Sequence, residues 1–459
     1  MMDWLKLAGA YEQAMISDIQ RLVDIPSLLD EKSKKPQAPF GLKLREVLDT
    51  ALAIGQRDGF KIKDIDGYAG VIELGDAAEA VGMLGHLDVV PVSDGWTKEP
   101  FKSVVENGII FGRGSADDKG PTMAAYYAMR ILKDQGIKLN KRIQLIMGCD
   151  EETGMRCMDY FRQQEDIPQC GFVPDAVFPV VYAEKGILDL RLSSKVQTVI
   201  KQFAAGQRPN IVIAQATALV AGDVQEILFD FYLRSNELTG EIKTDAQGVH
   251  YSISGIGAHG ARPYLGVNAA WHLLNFIGSA YQDEFAQKTA YFLKDWMASR
   301  LNNRIDGVYL GFLTMNLGVV AINNGQADLT LDIRYPNELT SAVIIDRITK
   351  VFAAYDYPCT ISVLSDLAPL FVNPQSALIK TLEQSYRLLT GDQFTPLRIM
   401  SGGTYARKLK NFVAYGAGMP NNALPAGVGI AHENDEGVMV KSLVQACAIY
   451  AEALFQLTR

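Results

Sequence analysis

The sequence predicts an α/β protein. It has a first domain with a mostly parallel central sheet flanked by helices, interrupted by an inserted α+β domain. Three observations carry this reading. In the N-terminal part, short apolar runs of strand length alternate with helical patterns, the texture of a parallel sheet with crossover helices. From about residue 187 the strands alternate polar and apolar residues, as half-exposed antiparallel strands do. From residue 372 helical patterns return around a buried strand, so the C-terminal segment completes the first domain. The boundaries are 1–186 and 372–459 for that domain and 187–371 for the insertion. A chain of 459 residues accommodates two or three domains of ordinary size.

The elements follow in order. MMDWLKLAGAYEQAMISDIQRLVDIPS spaces Trp4, Ala8, Tyr11, Met15, Ile19 and Leu22 along one helical face, interleaved with charges. That is a packing helix, without the basic start and continuous apolar core of an export signal. VGMLGH (81–86) reads as a buried strand. GPTMAAYYAMRILKDQG (120–136) reads as a helix with Pro121 at its start and Gly136 at its stop. RIQLIMG (142–148) is the next strand. In the insertion LDLRLSS, VHYSISGIG and ADLTLDIRYP alternate as strands, while NAAWHLLNFIGSAY and SAVIIDRITKVFAAY are helical. QSALIKTLEQSYRLLTG, the strand NFVAYGAG and the helix KSLVQACAIYAEALFQL close the chain.

Composition narrows the function. Hydrophobic residues at 48% and charged residues at 21% support large cores. A net charge of −8 with no basic run argues against nucleic acid or an anionic membrane as the partner. No run of ~18 apolar residues offers a membrane span. Five cysteines without C-x-x-C spacing read as reduced thiols, so the expected setting is cytoplasmic.

Five short motifs carry metal-binding side chains. His86 lies in GHLDVVP two residues before Asp88, and residues i and i+2 of an extended chain share a face. Asp88 is therefore expected to accept the His86 Nδ1 proton and leave Nε2 for a metal; alone, H-x-D reads as a hydrogen-bonded core pair. FGRGSADDKGP sets Asp117 beside Asp118 before a helix, where a capping role is the ordinary reading. MGCDEETG places Glu151 and Glu152 at a strand exit. GFVPDAVFPV contributes Asp175 and GIAHENDEGV contributes His432. Several imidazole and carboxylate sites at strand ends favour a hard or borderline metal. His250 and His272 lack a carboxylate motif and read as structural.

Taken together, G-H-x-D-x-V-P, G-R-G-x-x-D-D-K-G, D-E-E-x-G, P-D, A-H-G and A-H-E-N resemble the co-catalytic dinuclear metallopeptidases that include carboxypeptidase G, aminoacylase and peptidase V. The large insertion and GGTYAR (402–407) resemble its peptidase V branch of bacterial dipeptidases most. The resemblance implies that Asp117 bridges two metal ions, with His86 and Asp175 on one and Glu152 and His432 on the other. Charge supports this: two divalent cations balance three carboxylates and one bridging hydroxide. Zinc is the expected ion, and manganese or cobalt also suit the donor set. Glu151 is then the general base that works on a metal-bridging water.

The resemblance further implies a cis Asp117–Asp118 bond and an insertion that acts as a lid. His259 of GAHGARP would stabilise the oxyanion, Arg334 of DIRYP would clamp the substrate carboxylate, and Asn210 of RPNIVI would touch the carbonyl. Gly402 and Gly403 would lie beside the substrate. The expected activity is hydrolysis of dipeptides or other short peptides by a monomer that supplies His259 itself. A deacylase of N-acyl amino acids, a carboxypeptidase of the same family, or a catalytically silent binding protein are the alternatives.

Overall fold

The computed structural model describes residues 2–420 and 422–459. The chain forms two compact units. One comprises Met1–Ala183, Val372–Ile399 and Thr404–Arg459, and the other Glu184–Phe371 and Met400–Gly403. The short stretch Met400–Gly403 is grouped with the second unit, where the sequence placed it in the first. Its main chain is tied there: Met400 O accepts from the Lys185 N–H at 2.9 Å, and Ser401 O accepts from Arg334 Nη1 at 3.1 Å.

In the first unit the strand order runs Lys61–Ile65, Ala69–Leu74, Arg142–Gly148, Ala80–His86, Cys170–Val173, Phe412–Ala414. Ala80–His86 pairs in parallel with Arg142–Gly148 and with Cys170–Val173, which in turn pairs in parallel with Phe412–Ala414. The two outer strands are antiparallel. Every residue of Ala80–His86 is buried, as a strand covered on both faces requires. The helix Lys119–Asp134 ends before Gly136, whose φ of 64° is left-handed. It packs against the C-terminal helix Val440–Leu457. The predicted N-terminal helix is two helices, Trp4–Ala10 and Glu12–Val23, broken at Tyr11 with φ −101° and ψ 0°. Its apolar face is nonetheless buried through Trp4, Ala8, Met15, Ile19 and Leu22.

Close approach fixes one glycine. A Cβ on Gly85 would stand 1.9 Å from Thr122 Oγ1 and 2.9 Å from Asp118 Oδ2. Gly85→Ala is therefore expected to destabilise the protein by about 1–3 kcal/mol through overpacking. Gly9→Ala, with nothing within 4 Å on an exposed helix face, is expected to be neutral or to stabilise by about 0.5–1 kcal/mol. Chemical denaturation of the pair checks the contrast.

The second unit is an antiparallel sheet of eight strands, with Gln326–Tyr335 and Gly186–Lys195 near one edge and Thr239–Asp245 at the other. Burial alternates along Gly248–Ser254 and Gly186–Lys195, so one face is apolar. The helices Ala269–Ala280 and Ser341–Ala354 supply Leu273, Ile277, Ile344 and Ile348 to the core on that face. His250 pairs with Asp245 and His272 with Tyr232, both inside this unit.

Candidate metal centre

The first unit brings His86, Asp117, Glu152, Asp175 and His432 together, His86 from a strand end, Asp117 from the turn before the helix Lys119–Asp134, and the others from turns and loops. Asp117 lies between the two histidines. Its Oδ1 is 2.9 Å from His86 Nε2, and its Oδ2 is 3.0 Å from His432 Nε2. Asp175 Oδ2 is 3.9 Å from His86 Nε2, and Glu152 Oε1 is 3.1 Å from His432 Nε2. The residues therefore fall into two sets that share Asp117: His86 with Asp175, and His432 with Glu152. Donor atoms of His86, Asp117 and Glu152 all lie within 4.8 Å of one another.

Each donor is held by its local fold. His86 is the last residue of its buried strand. Its Nδ1 is 2.9 Å from the main-chain carbonyl of Asp88 and 3.5 Å from that residue's carboxylate. The imidazole therefore bonds the backbone of Asp88, a correction to the side-chain pairing read from H-x-D. The Asp88 carboxylate instead accepts the N–H groups of Glu151 at 3.0 Å and Glu152 at 2.9 Å. It thereby orients both members of the doublet through their main chain. Asp150 holds the same turn from the other side, accepting Arg156 Nε and Nη2 at 2.8 and 2.7 Å.

Asp117 and His432 are tied to each other by a buried pair that the sequence reading missed. Glu436 Oε1 accepts the main-chain N–H groups of Gly114, Ala116 and Asp117 at 3.0, 2.9 and 3.2 Å. Its Oε2 receives Arg113 Nη1, and Arg113 Nη2 donates to His432 O at 3.3 Å. His432 itself adopts a left-handed φ of 70°, a conformation that surrounding contacts must hold. Both residues stood inside motifs already noted, Arg113 in GRG and Glu436 four residues after His432. The Asp117–Asp118 bond is cis. Asp118 points away from the donors: its Oδ2 accepts Thr122 Oγ1 at 2.8 Å and the His86 N–H at 3.2 Å.

Electrostatics distinguish the two glutamates. Burial, reinforced by the charges of Glu152, Asp88 and Asp117, pushes the Glu151 carboxyl well above its ordinary range. Its Oε1 is buried without a hydrogen-bond partner among the described residues. Burial and the charges of Asp117 and Asp118 likewise raise Asp175, and burial takes Asp118 up to about 7. Hydrogen bonds that His432 donates to the Asp117 and Glu152 carboxylates lift it to about 10. Burial alone would lower His86, but Asp117 and Asp88 outweigh it and hold it well above the usual imidazole value. Two buried cations nearby are engaged elsewhere: Lys119 donates to Leu22 O and Ile25 O, and Arg113 donates to Glu436 and His432 O. The residues fit a pair of divalent cations, which would supply the missing positive charge.

In the second unit, His259 Nδ1 accepts the Ala261 N–H at 3.0 Å, which leaves Nε2 to carry the proton. Burial and then the charge of Arg334 lower the His259 pKa, so the ring is a neutral donor. Asn210 is its neighbour: Ile211 bridges His259, and the Gly260 N–H donates to Asn210 O at 2.7 Å. Arg334 is buried, with Nε and Nη2 on the two oxygens of Asp332 at 2.7 and 2.9 Å. With Nη1 on Ser401 O, three of the five N–H groups of a guanidinium are engaged. Gly402 and Gly403 follow Ser401 directly, in this unit.

Two histidines and three carboxylates gathered around Asp117, with His86 buried and His432 exposed, form the donor set of a metal-dependent hydrolase. The chain belongs to peptidase family M20/M25/M40, whose model matches residues 82–456; it is a metallopeptidase. It is 34% identical over 474 aligned positions, covering 100% of both chains, to the Bacillus subtilis (strain 168) protein named "Putative dipeptidase YtjP". Among solved structures, the di-peptidase Dug1p of Saccharomyces cerevisiae is similar at TM-score 0.58 and 14% identity, over 99% of this chain and 98% of that one. The Bacillus subtilis YXEP protein, titled a dinuclear metal binding peptidase of the M20 family, is similar at TM-score 0.50 and 11% identity, over 98% and 99%. These two likenesses concern the fold. Among the described residues no helix is long and apolar enough to cross a membrane.

Proposed function

We propose that this peptidase hydrolyses dipeptides with a pair of divalent cations, zinc in the first instance, held by His86, Asp117, Glu152, Asp175 and His432. The observation that carries the reading is Asp117, each of whose oxygens faces a different histidine at 2.9 and 3.0 Å. The bound cations would polarise the scissile carbonyl and acidify a water. Glu151, with a buried oxygen that no group among the described residues satisfies, takes the proton of the attacking water and passes it to the departing amine. Asp88 keeps Glu151 and Glu152 in place by accepting both of their N–H groups.

In the same reading the neutral His259 donates its Nε2–H to the carbonyl oxygen as charge builds there, with the Asn210 amide as a further donor. Arg334, pre-oriented by Asp332, offers its two remaining N–H groups to the substrate α-carboxylate. Gly402 and Gly403, without side chains, let that stretch of main chain approach the substrate. The relatives named as dipeptidases support short substrates.

The test is hydrolysis of Ala-Ala by protein stripped with a chelator and reloaded with zinc, manganese or cobalt. Activity that disappears on stripping and returns with metal is expected. Hydrolysis of N-acetyl amino acids alone would make the chain a deacylase, and no chelator-sensitive hydrolysis of either substrate would overturn the reading.

A further inference from the structure

A cavity of about 370 Å³ opens in the first unit directly beside Asp117 and Asp175. Its walls come from four places in the chain: the turn and helix start around Asp117, the segment around Asp175, residues 417–419 with Asn422 and Leu424, and the segment from Ile430 to Ser442. Val177, Leu424, Ile430 and Met439 make it mainly apolar, and Asp117 and Asp175 are the only charged residues lining it among those described. Val177 and Ile430 are 37% and 57% exposed, so apolar atoms face solvent at the edge of a site otherwise built of carboxylates. Scattered exposed apolar residues need no cause, but a concave apolar wall with convergent polar groups is the form of a ligand pocket.

We propose that this cavity is a specificity pocket that takes a large apolar side chain of the substrate, such as that of Leu, Met or Phe. The inference rests on the peptidase reading above and extends it to the kind of side chain recognised. Size permits this: an apolar cavity of ~150 Å³ already accepts benzene, and this one is more than twice that volume. Charge selects against acidic side chains, because no lysine or arginine lines the walls to pair with them. Position ties the pocket to the reaction, since its floor includes the carboxylate that both candidate metal sets share.

Val177→Trp fills the pocket from an exposed position, and Leu424→Trp fills it from another segment should the first variant not fold. Both leave every donor and Glu151 intact. The measurement is kcat/KM for Xaa-Ala and Ala-Xaa with Xaa as Gly, Leu, Phe or Asp, together with the Tm rise caused by phenylalanine amide against glycine amide. The wild type is expected to favour Leu and Phe over Gly and Asp by about tenfold or more in one of the two series, the scale on which apolar pockets discriminate. The filled variants are expected to lose that preference and the Tm response to phenylalanine amide, while Gly-Ala hydrolysis stays within about twofold. A Phe-over-Gly preference that survives filling, or none in the wild type, overturns the pocket and leaves the dipeptidase reading standing. If no dipeptide is hydrolysed, that reading falls. The Tm arm then decides the pocket alone: a response lost on filling upholds apolar binding, and an unchanged response rejects it.

Discussion

Replacing Glu151 with Gln is expected to lower kcat on a dipeptide by about 10²–10⁴-fold, the range a positioned general base contributes, while KM and metal content stay near wild type. The expectation follows from the environment of the group. Its carboxyl is buried, raised in pKa and left with an oxygen that no donor among the described residues satisfies. A group in that state can hold and release a proton, and the amide of glutamine cannot. Glu152→Gln should behave differently. Its carboxylate stands 3.1 Å from His432 Nε2 in the donor set, so the expected first loss is metal, with activity falling as a consequence. Steady-state kinetics on both variants, with metal content determined by plasma mass spectrometry, separates the two. Loss of metal from Glu151→Gln with metal retained in Glu152→Gln would reverse the assignment.

Glu436→Ala is expected to be the most damaging change outside the donor set. It strands the buried Arg113 guanidinium and releases three main-chain N–H groups that fix the loop carrying Asp117. Breaking one side of a buried ion pair costs about 3–5 kcal/mol, a large part of the ~5–15 kcal/mol by which proteins are stable. The same change frees Asp117, and through Arg113 it loosens the His432 carbonyl. Zinc affinity, read by competition with a chelating dye, should therefore fall along with the denaturation midpoint. Arg113→Met shares the same network, so the double variant is expected to be less damaging than the sum of the two singles. Additive effects on both readouts would mean that the pair does not act as a unit.

These residues also mark how far the sequence was legible. The candidate donors were legible because each sits in a short motif where local pattern and chemistry coincide, and the fold brings those motifs together. Period-2 alternation placed the strands Gly186–Lys195 and Gly248–Ser254 correctly in kind. What failed was partner choice. The i, i+2 rule put Asp88 on the face of His86 but did not reveal that the backbone carbonyl would win the imidazole, because two N–H groups from a turn some 60 residues away claim the carboxylate.

Glu436 escaped for the same reason. Its meaning lies in a contact with residues more than 300 positions earlier, which no spacing encodes. The break at Tyr11 was hidden because the apolar face continues unbroken across it, and burial alone does not report a change of backbone. Arg334 lies two residues after Asp332 in the strand DIRYP, so their shared face was readable, but the depth that turns the pair into a buried fork was not.

The central claim is that one aspartate serves two metal ions while the two adjacent glutamates do different work. Crystals of the zinc-loaded protein, with data collected on both sides of the zinc absorption edge, test it most directly. Two anomalous peaks are expected, both contacted by Asp117, one also by His86 and Asp175 and the other by Glu152 and His432, with Glu151 touching neither. A single peak, or Glu151 in place of Glu152 on a metal, would contradict it.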